Sequence, residues 1–158
     1  MIRLNLGSGT QPLPGYLNLD IDDNNPVYPL SYENNSVDEI RASHILEHFS
    51  ICDSIDVICE WHRVLKAGGE LKIAVPDFAL IAEAFLNGLN PNLRYEEYLM
   101  GGQTDEYDYH KSLWTEDKLR SILTCLGYTD IVRWHSEIQD CASLPISLNL
   151  KGTKSEPA

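Results

Sequence analysis

Apolar and polar residues alternate along short stretches of the chain, and a period of two is typical of β-strands. The clearest example is Leu71, Ile73 and Val75, which alternate with Lys72 and Ala74. Other short apolar runs predict further strands at residues 4–9, 16–20, 38–44, 131–135 and 146–150. The sequence therefore predicts a sheet of at least six strands.

A helical period of three to four residues appears between the strands. From about residue 47 to Lys66, two apolar rows recur at this spacing: Ile51, Ile55, Ile58, His62 and Leu65, and Val57, Trp61 and Val64. Gly68 and Gly69 are expected to end this helix. A short helix is predicted over residues 78–86, and Thr115 is expected to cap another that ends before Gly127.

Residues 92–114 show no clear period and contain four tyrosines and a tryptophan, so a long aromatic loop is predicted there. The element order β, β, β, α, β, α, α, β, β indicates a mostly parallel α/β sheet with helices on its faces. The last two strands have no helix between them and should pair antiparallel. We expect one domain over residues 1–153 and a frayed tail at 154–158.

A glycine turn follows the first predicted strand directly. Leu4-Asn5-Leu6 runs into Gly7-Ser8-Gly9, and the second strand ends in Asp20. Glycine lets a ligand approach the backbone, and an acid at the tip of the neighbouring strand can accept hydrogen bonds from a ribose. A dinucleotide fold needs a third glycine where Pro12 stands, and an acid further along than Asp20. The pattern therefore predicts a nucleoside pocket without a diphosphate site.

Composition narrows the classes of partner. The formal net charge is −12 over 158 residues and no basic run occurs, which disfavours nucleic acid. The four cysteines form no C-x-x-C pair and are expected to be buried free thiols. No signal peptide and no run of 18 apolar residues is present, so we expect a cytoplasmic protein without a membrane partner.

Four blocks of the chain resemble, in order, the class I S-adenosylmethionine-dependent methyltransferases. Residues 4–9 resemble their glycine motif and Leu19-Asp20-Ile21 their second-strand acid. Residues 35–48 resemble their "sfD.i.a..vLeH" block, and residues 61–71 their "e..RvLkpGG.l" block. Residues 101–111 are similar to a small group of bacterial predicted methyltransferases, and residues 147–154 to the final antiparallel strand of the family.

The resemblance implies a Rossmann-like methyltransferase sheet of six or seven strands, because the family's third strand is not evident around Pro26 and Pro29. The family has a helix after its first strand, and here only residues 10–15 are available for it. This helix is therefore expected to be missing or shortened, since a parallel crossover usually takes a dozen residues or more. The adenosine of the cofactor should then be unusually exposed.

The resemblance also implies S-adenosylmethionine as the cofactor and assigns residues to it. Gly7, Ser8 and Gly9 would face its methionine end and Asp20 its ribose. The other expected contacts are Ile21 and Asp22 beside the adenine, Leu30 or Tyr28 packed on it, and Ser43 and His44 on the sulfonium side.

The run His44-Ile45-Leu46-Glu47-His48 also matches H-x-x-E-H, a zinc-peptidase motif. That motif needs both histidines on one helix face, with a further ligand downstream. Here His44 is predicted to end a strand, which breaks the helical spacing. We therefore predict no metal site, and a structural role for Glu47 and His48 at the start of the helix.

Methyl transfer requires positioning of the acceptor, and a base if the acceptor carries a proton. The candidates are His110 and Asp77, although His110 could equally anchor its loop. Tyr107, Tyr109 and Trp114 could line the acceptor pocket or simply pack the loop onto the sheet.

The sequence thus predicts a methyltransferase acting on a small-molecule or glycan-like acceptor. The alternative is a non-catalytic methyltransferase-like fold that binds a nucleoside ligand or a partner, which the shortened first crossover favours. The oligomeric state cannot be read from the sequence.

Overall fold

Six strands form one sheet in the computed structural model, which describes residues 1–21, 26–88 and 94–156. The strands are β1 Arg3–Leu6, β2 Leu17–Leu19, β3 Val37–Ser43, β4 Leu65–Pro76, β5 Tyr128–Arg133 and β6 Ser147–Lys154. Their order is β2-β1-β3-β4-β6-β5. The first four are parallel, and β6 lies antiparallel between β4 and β5. The predicted fold class and the antiparallel C-terminal pair are confirmed.

Four helices accompany the sheet: α1 Ile51–Val64, α2 Phe78–Leu86, α3 Tyr95–Met100 and α4 Glu116–Cys125. The bounds of α2 agree with the prediction, and the Thr115 hydroxyl caps α4 by accepting from the Lys118 amide. Single 3₁₀ turns occur at Leu46–His48 and Cys141–Ser143. Residues 7–16 contain no helix, which confirms the shortened connection between β1 and β2.

The predicted bounds of α1, β4, β5 and β6 were wrong, and one helix was missed; β5 covers Tyr128–Arg133 instead of 131–135. Helix α1 begins at Ile51, capped by the Ser50 hydroxyl, and gives way at Leu65 to a strand that was expected only from Glu70. Helix α3 lies inside the segment that was predicted to be a loop. None of its six residues is buried, and six residues are too few for a helical period to be recognised. Strand β6 includes Lys154, which was assigned to the frayed tail.

The core lies on one face of the sheet. The inward-facing residues of β1, β3, β4 and β6 pack against buried residues of α1 and α4. The helix residues are Val57, Ile58, Trp61 and Val64 of α1 and Leu119 and Leu123 of α4. The strand residues are Leu4, Leu6, Ile40, Ala42, Leu71, Ile73, Val75, Leu148 and Leu150. The second predicted row of α1 is therefore buried together with Ile58 of the first row, whereas Ile51 and Ile55 of the first row are exposed. The free cysteines are all exposed, contrary to the prediction, because Cys52 and Cys59 fall outside the buried stripe of α1.

The opposite face of the sheet carries a ladder of ion pairs. Glu39 Oε2 lies 2.7 Å from Arg3 Nε, and Glu39 Oε1 lies 2.8 Å from Lys72 Nζ. Lys72 and Lys151 also pair with Glu70 at 3.0 and 2.8 Å. A cavity of about 520 Å³ opens over these side chains. We refer to these five residues as the charged ladder.

Stability should depend on pH through Glu39. Burial alone would raise the pKa of this carboxyl, but hydrogen bonds from Arg3, Lys72 and Tyr16 outweigh it and hold the pKa at about 2. A lowered pKa in the folded state stabilises the protein above the unfolded value near 4.5, and this stabilisation is lost as the pH falls towards 2. We expect Glu39→Gln to lower the free energy of unfolding at pH 7 by about 2 kcal/mol.

The measurement is urea unfolding between pH 7 and pH 2. The exposed Glu83→Gln serves as the matched control, with the same chemical change outside the charged ladder. Wild type and the control should lose stability more steeply below pH 4.5 than Glu39→Gln. Parallel pH profiles for all three proteins would contradict the prediction.

Candidate active site

The Gly7–Gly9 turn is held to the end of β2 by two sets of hydrogen bonds. The amides of Gly7 and Ser8 donate to the Leu19 carbonyl at 2.9 and 3.2 Å. The Gly9 amide donates to Asp20 Oδ2 at 2.7 Å. Both glycines have positive φ, +69° and +49°, which side chains disfavour. A Cβ on Gly7 would lie 3.0 Å from the Ile45 side chain, whereas no atom lies within 4 Å of a Cβ on Gly9. The turn is thus fixed in position and open on the Gly9 side.

Two cavities flank this turn, and Gly7 lines both. The first, of about 280 Å³, contains Asp20 and Ile21 together with Pro26, Val27, Tyr28, Ile45, His48, Phe49, Tyr107 and Lys111. The second, of about 250 Å³, contains Ser8, Gly9, Ser43 and His44. Together they reach the roughly 300–1,000 Å³ of small-molecule sites. Seven of the predicted cofactor residues therefore meet around Gly7.

One predicted cofactor residue lies elsewhere, and another falls outside the described residues. Leu30 is buried in the core, and its amide donates to Glu60 Oε1 at 2.9 Å. Val27 and Tyr28 line the first cavity instead, because Trp61 Nε1 of α1 donates to the Val27 carbonyl and holds this segment beside the cavity. Asp22 lies outside the described residues.

His44 lies directly after β3, as predicted, and therefore does not share a helix with His48. Its φ is +52°. Its Nε2 lies 2.8 Å from the Ser147 hydroxyl, and its Nδ1 lies 3.2 Å from Glu47 Oε1. Ser43 donates to Asp140 Oδ2 at 3.1 Å, and Arg41 also pairs with that carboxylate. Asp140 gave no signal in the sequence, because its contact with Ser43 joins residues far apart in the chain.

Glu47, His48 and His110 form a buried cluster beside the first cavity. The Glu47 side chain is 1% exposed, and its Oε1 lies 4.0 Å from His110 Nε2. The rings of His48 and His110 meet edge to face with centroids 4.9 Å apart. Burial would raise the pKa of Glu47, but the three histidines outweigh it and lower that pKa. Burial lowers the pKa of His110.

The segment from Gly101 to Ser112 is anchored on this cluster. The amides of Lys111 and Ser112 donate to the Glu47 carbonyl at 2.7 and 3.2 Å. The His110 imidazole contacts the Tyr98 carbonyl of α3 through Nδ1, at 3.0 Å. These contacts bring Tyr107 and Lys111 to the wall of the first cavity. Lys111 is one of the polar residues of the predicted aromatic loop, and these long-range backbone contacts place it at the cavity.

The other residues predicted for the acceptor side lie elsewhere. Asp77 caps α2, with its Oδ1 accepting from the Ala79 and Leu80 amides at 3.1 and 3.3 Å. Trp114 is 1% exposed and belongs to the core. Tyr109 is exposed and lines neither cavity.

Within the described part of the chain, no helix has the length and apolar character needed to cross a bilayer.

Comparison with known proteins agrees with this geometry. Residues 7–73, which include the glycine turn, Asp20, β3, α1 and most of β4, match the family model of a methyltransferase domain. No curated protein sequence gives a significant match.

Three solved structures share the fold. One is an S-adenosylmethionine-dependent methyltransferase of Thermotoga maritima described as a possible histamine N-methyltransferase. It is 15% identical with a TM-score of 0.66, and the match covers 98% of this chain and 82% of the Thermotoga chain. A methyltransferase of Archaeoglobus fulgidus has 14% identity, a TM-score of 0.65, and coverage of 96% and 85%. The 1,6-didemethyltoxoflavin-N1-methyltransferase of Burkholderia thailandensis, solved with S-adenosylhomocysteine, has 14% identity, a TM-score of 0.61, and coverage of 98% and 71%.

The two comparisons cover different parts of the chain. Residues 7–73 match a methyltransferase domain, and the solved structures share the fold over nearly the whole chain. The residues present fit S-adenosylmethionine, the cofactor that the resemblance implies, because the turn at Gly9 is open to a ligand and a carboxylate stands beside it.

Proposed function

We propose that this protein methylates a small-molecule or glycan-like acceptor. The supporting observation is the first cavity, which is lined by Gly7 of the glycine turn and Asp20 after β2 together with Tyr107 and Lys111 of the Gly101–Ser112 segment. A nucleoside-binding turn and an aromatic segment at one cavity can bring a donor and an acceptor together. Because Asp20 and Ile21 would hold the adenosine, only the part of the cavity beside Tyr107 and Lys111 is left for the acceptor, which favours a small acceptor group over a folded macromolecule.

The chain's own residues would hold the cofactor as follows. Gly7, Ser8 and Gly9 would contact its methionine end, Asp20 would accept hydrogen bonds from its ribose, and Ile21 would border its adenine. When bound, S-adenosylmethionine supplies a methyl group that its sulfonium already activates. Because Ile21 and Tyr28 are 47% and 38% exposed, the adenosine should remain partly open to solvent.

The acceptor side would use Tyr107 as an apolar wall and Lys111 as a polar one. His110 is the titratable group behind this wall, in contact with Glu47 and His48. Such an imidazole can act on an acceptor proton directly or through a bound cation. The surroundings of its Nε2 atom, described below, favour the cation.

Calorimetric titration with S-adenosylmethionine and S-adenosylhomocysteine tests the proposal, followed by release of S-adenosylhomocysteine in the presence of small-molecule and oligosaccharide pools. We expect wild type to bind both nucleosides and to turn over with an acceptor. His110→Ala should reduce turnover about 100-fold or more and leave nucleoside affinity unchanged, because His110 lies on the acceptor side.

His135→Ala, an exposed histidine elsewhere, is the control and should turn over like wild type. Full activity of His110→Ala would remove its role at the acceptor. Tight nucleoside binding without product from any pool would favour the non-catalytic alternative, for which the missing helix after β1 is the structural argument.

A further inference from the structure

The buried cluster beside the first cavity has the composition of a metal site. Glu47, His48 and His110 place one ligand atom each within 4.8 Å of the others. Neither oxygen of the buried Glu47 carboxylate accepts a well-aligned hydrogen bond from a described residue, the nearest donor being His44 Nδ1 at 3.2 Å from Oε1, and the buried Nδ1 of His48 has no partner among these residues. Buried polar atoms are nearly always satisfied, so three such atoms directed into one cluster require a partner.

The tautomer of His110 indicates the charge of that partner. Its Nδ1 lies 3.0 Å from the Tyr98 carbonyl, which can only accept, so this nitrogen carries the ring proton. The neutral ring then directs the lone pair of Nε2 towards Glu47 Oε1, 4.0 Å away. A lone pair and a carboxylate oxygen repel each other unless a cation lies between them. Bonds of about 2.1 Å to one tetrahedral ion place two ligand atoms about 3.4 Å apart, so these two atoms would move roughly 0.6 Å closer together around an ion.

We propose that Glu47, His48 and His110 bind a divalent transition metal, zinc in the first place. Two imidazoles and one carboxylate suit zinc or ferrous iron better than magnesium or calcium, which prefer oxygen ligands alone. The hydrogen bond from His110 to Tyr98 is the outer contact that metal-bound histidines usually make. His44 plays the same supporting role for Glu47, with its Nδ1 3.2 Å from Oε1.

This ligand set differs from the one that H-x-x-E-H suggests in the sequence. There the two histidines of the motif would bind together, but His44 turns away with its Nε2 on the Ser147 hydroxyl at 2.8 Å. His110 takes its place, delivered by the backbone contacts of Lys111 and Ser112 with Glu47. The prediction of no metal site considered only the motif, and His110 could not be paired with it from the sequence.

Three protein ligands leave a coordination position open, as in catalytic zinc sites. His48 lines the first cavity together with Tyr107 and Lys111, so that position faces the space assigned to the acceptor. An acceptor with an oxygen or nitrogen donor could occupy it and lose its proton more readily. This use of the metal rests on the proposed methyl transfer, whereas binding of the metal does not.

Metal content and metal affinity test the proposal. The chain is purified without a polyhistidine tag, and bound metal is removed with a chelator. The metal-free protein is then titrated with Zn²⁺, and with Co²⁺ as a spectroscopic probe. Wild type should bind one ion, raise its Tm with added Zn²⁺, and give the visible absorption of Co²⁺ held by nitrogen and oxygen ligands. His110→Ala and Glu47→Gln should each weaken Zn²⁺ binding at least tenfold, and His135→Ala should bind like wild type.

Glu47→Gln keeps the shape of the side chain and removes a buried charge, so it should fold even if His110→Ala does not; circular dichroism verifies this. Failure of wild type to bind either ion, or equal losses in His135→Ala and Glu47→Gln, would overturn the site. Calorimetry with S-adenosylhomocysteine on the same samples separates the two proposals. Zn²⁺ binding without nucleoside binding would refute the cofactor contacts and keep the metal, and the reverse would refute the metal alone.

Discussion

Asp20→Ala should weaken binding of S-adenosylmethionine and S-adenosylhomocysteine at least tenfold. The Asp20 carboxylate lines the first cavity and also accepts from the Gly9 amide at 2.7 Å. The substitution therefore removes a charge-assisted contact to the ribose and releases the turn that holds the methionine end. A hydrogen bond to a charged group contributes about 1.5–3 kcal/mol, which corresponds to a loss of about 10- to 150-fold in affinity. Isothermal titration calorimetry of wild type and Asp20→Ala measures this loss of affinity.

Asp20→Asn separates the two roles of the carboxylate. The amide oxygen can still accept from Gly9, but the side chain is no longer an anion, so its affinity should fall between those of wild type and Asp20→Ala. Asp56→Ala, an exposed acid on α1, should bind like wild type. If Asp20→Ala binds the nucleosides as tightly as wild type, the ribose contact is wrong.

Gly101→Ala should detach the Gly101–Ser112 segment from the cluster. Gly101 has φ +81°, and a Cβ there would lie 2.1 Å from the Asp108 carbonyl oxygen and 3.0 Å from the His110 amide nitrogen. No side-chain rotation relieves a clash with backbone, so the segment must open. The hydrogen bonds from His110 to Met100 and from Gln103 to Asp108 should break.

Amide hydrogen exchange measures this opening directly. Protection of the Gln103 and His110 amides should fall at least tenfold in Gly101→Ala, along with Zn²⁺ affinity, while the strands keep their protection. Gly88→Ala is the matched control: Gly88 has φ +63°, but no atom lies within 4 Å of its Cβ position. Both variants carry the strain of a positive φ, about 1–3 kcal/mol, and only Gly101→Ala adds the clash. Equal protection in the two variants would show that the segment tolerates the side chain.

The strands and the glycine turn could be predicted because their signals are local. Alternation at Leu71, Ile73 and Val75 reflects one buried face, and Gly7 and Gly9 mark a backbone that needs positive φ. Helix boundaries were less predictable. Tertiary packing on the sheet decides which residues of each apolar row of α1 are buried: Ile51 and Ile55 are exposed, whereas Ile58 of the same row is buried.

The acceptor side was harder to predict than the cofactor side. Ser43, His44 and Asp20 follow strands that end at one sheet edge, so topology brings them together. His110 and Tyr107 reach the same place only through the Lys111 and Ser112 amides on the Glu47 carbonyl, contacts that no period encodes. Leu30 and Trp114 look like pocket residues in the sequence, but apolar side chains at such positions serve the core equally well.

The charged ladder limits how this chain could be lengthened by engineering. A helix grafted between Gly9 and Tyr16, to restore the usual first crossover, would bring an apolar stripe onto the face that carries Glu39 and Lys72. Docking it there would strip water from ion pairs that are at present partly hydrated, a penalty that packing alone seldom offsets. A successful graft would have to replace the outward residues of β1, β3, β4 and β6 at the same time. The short connection between β1 and β2 is therefore compatible with the charged ladder, and inserting a helix there without other substitutions should be poorly tolerated.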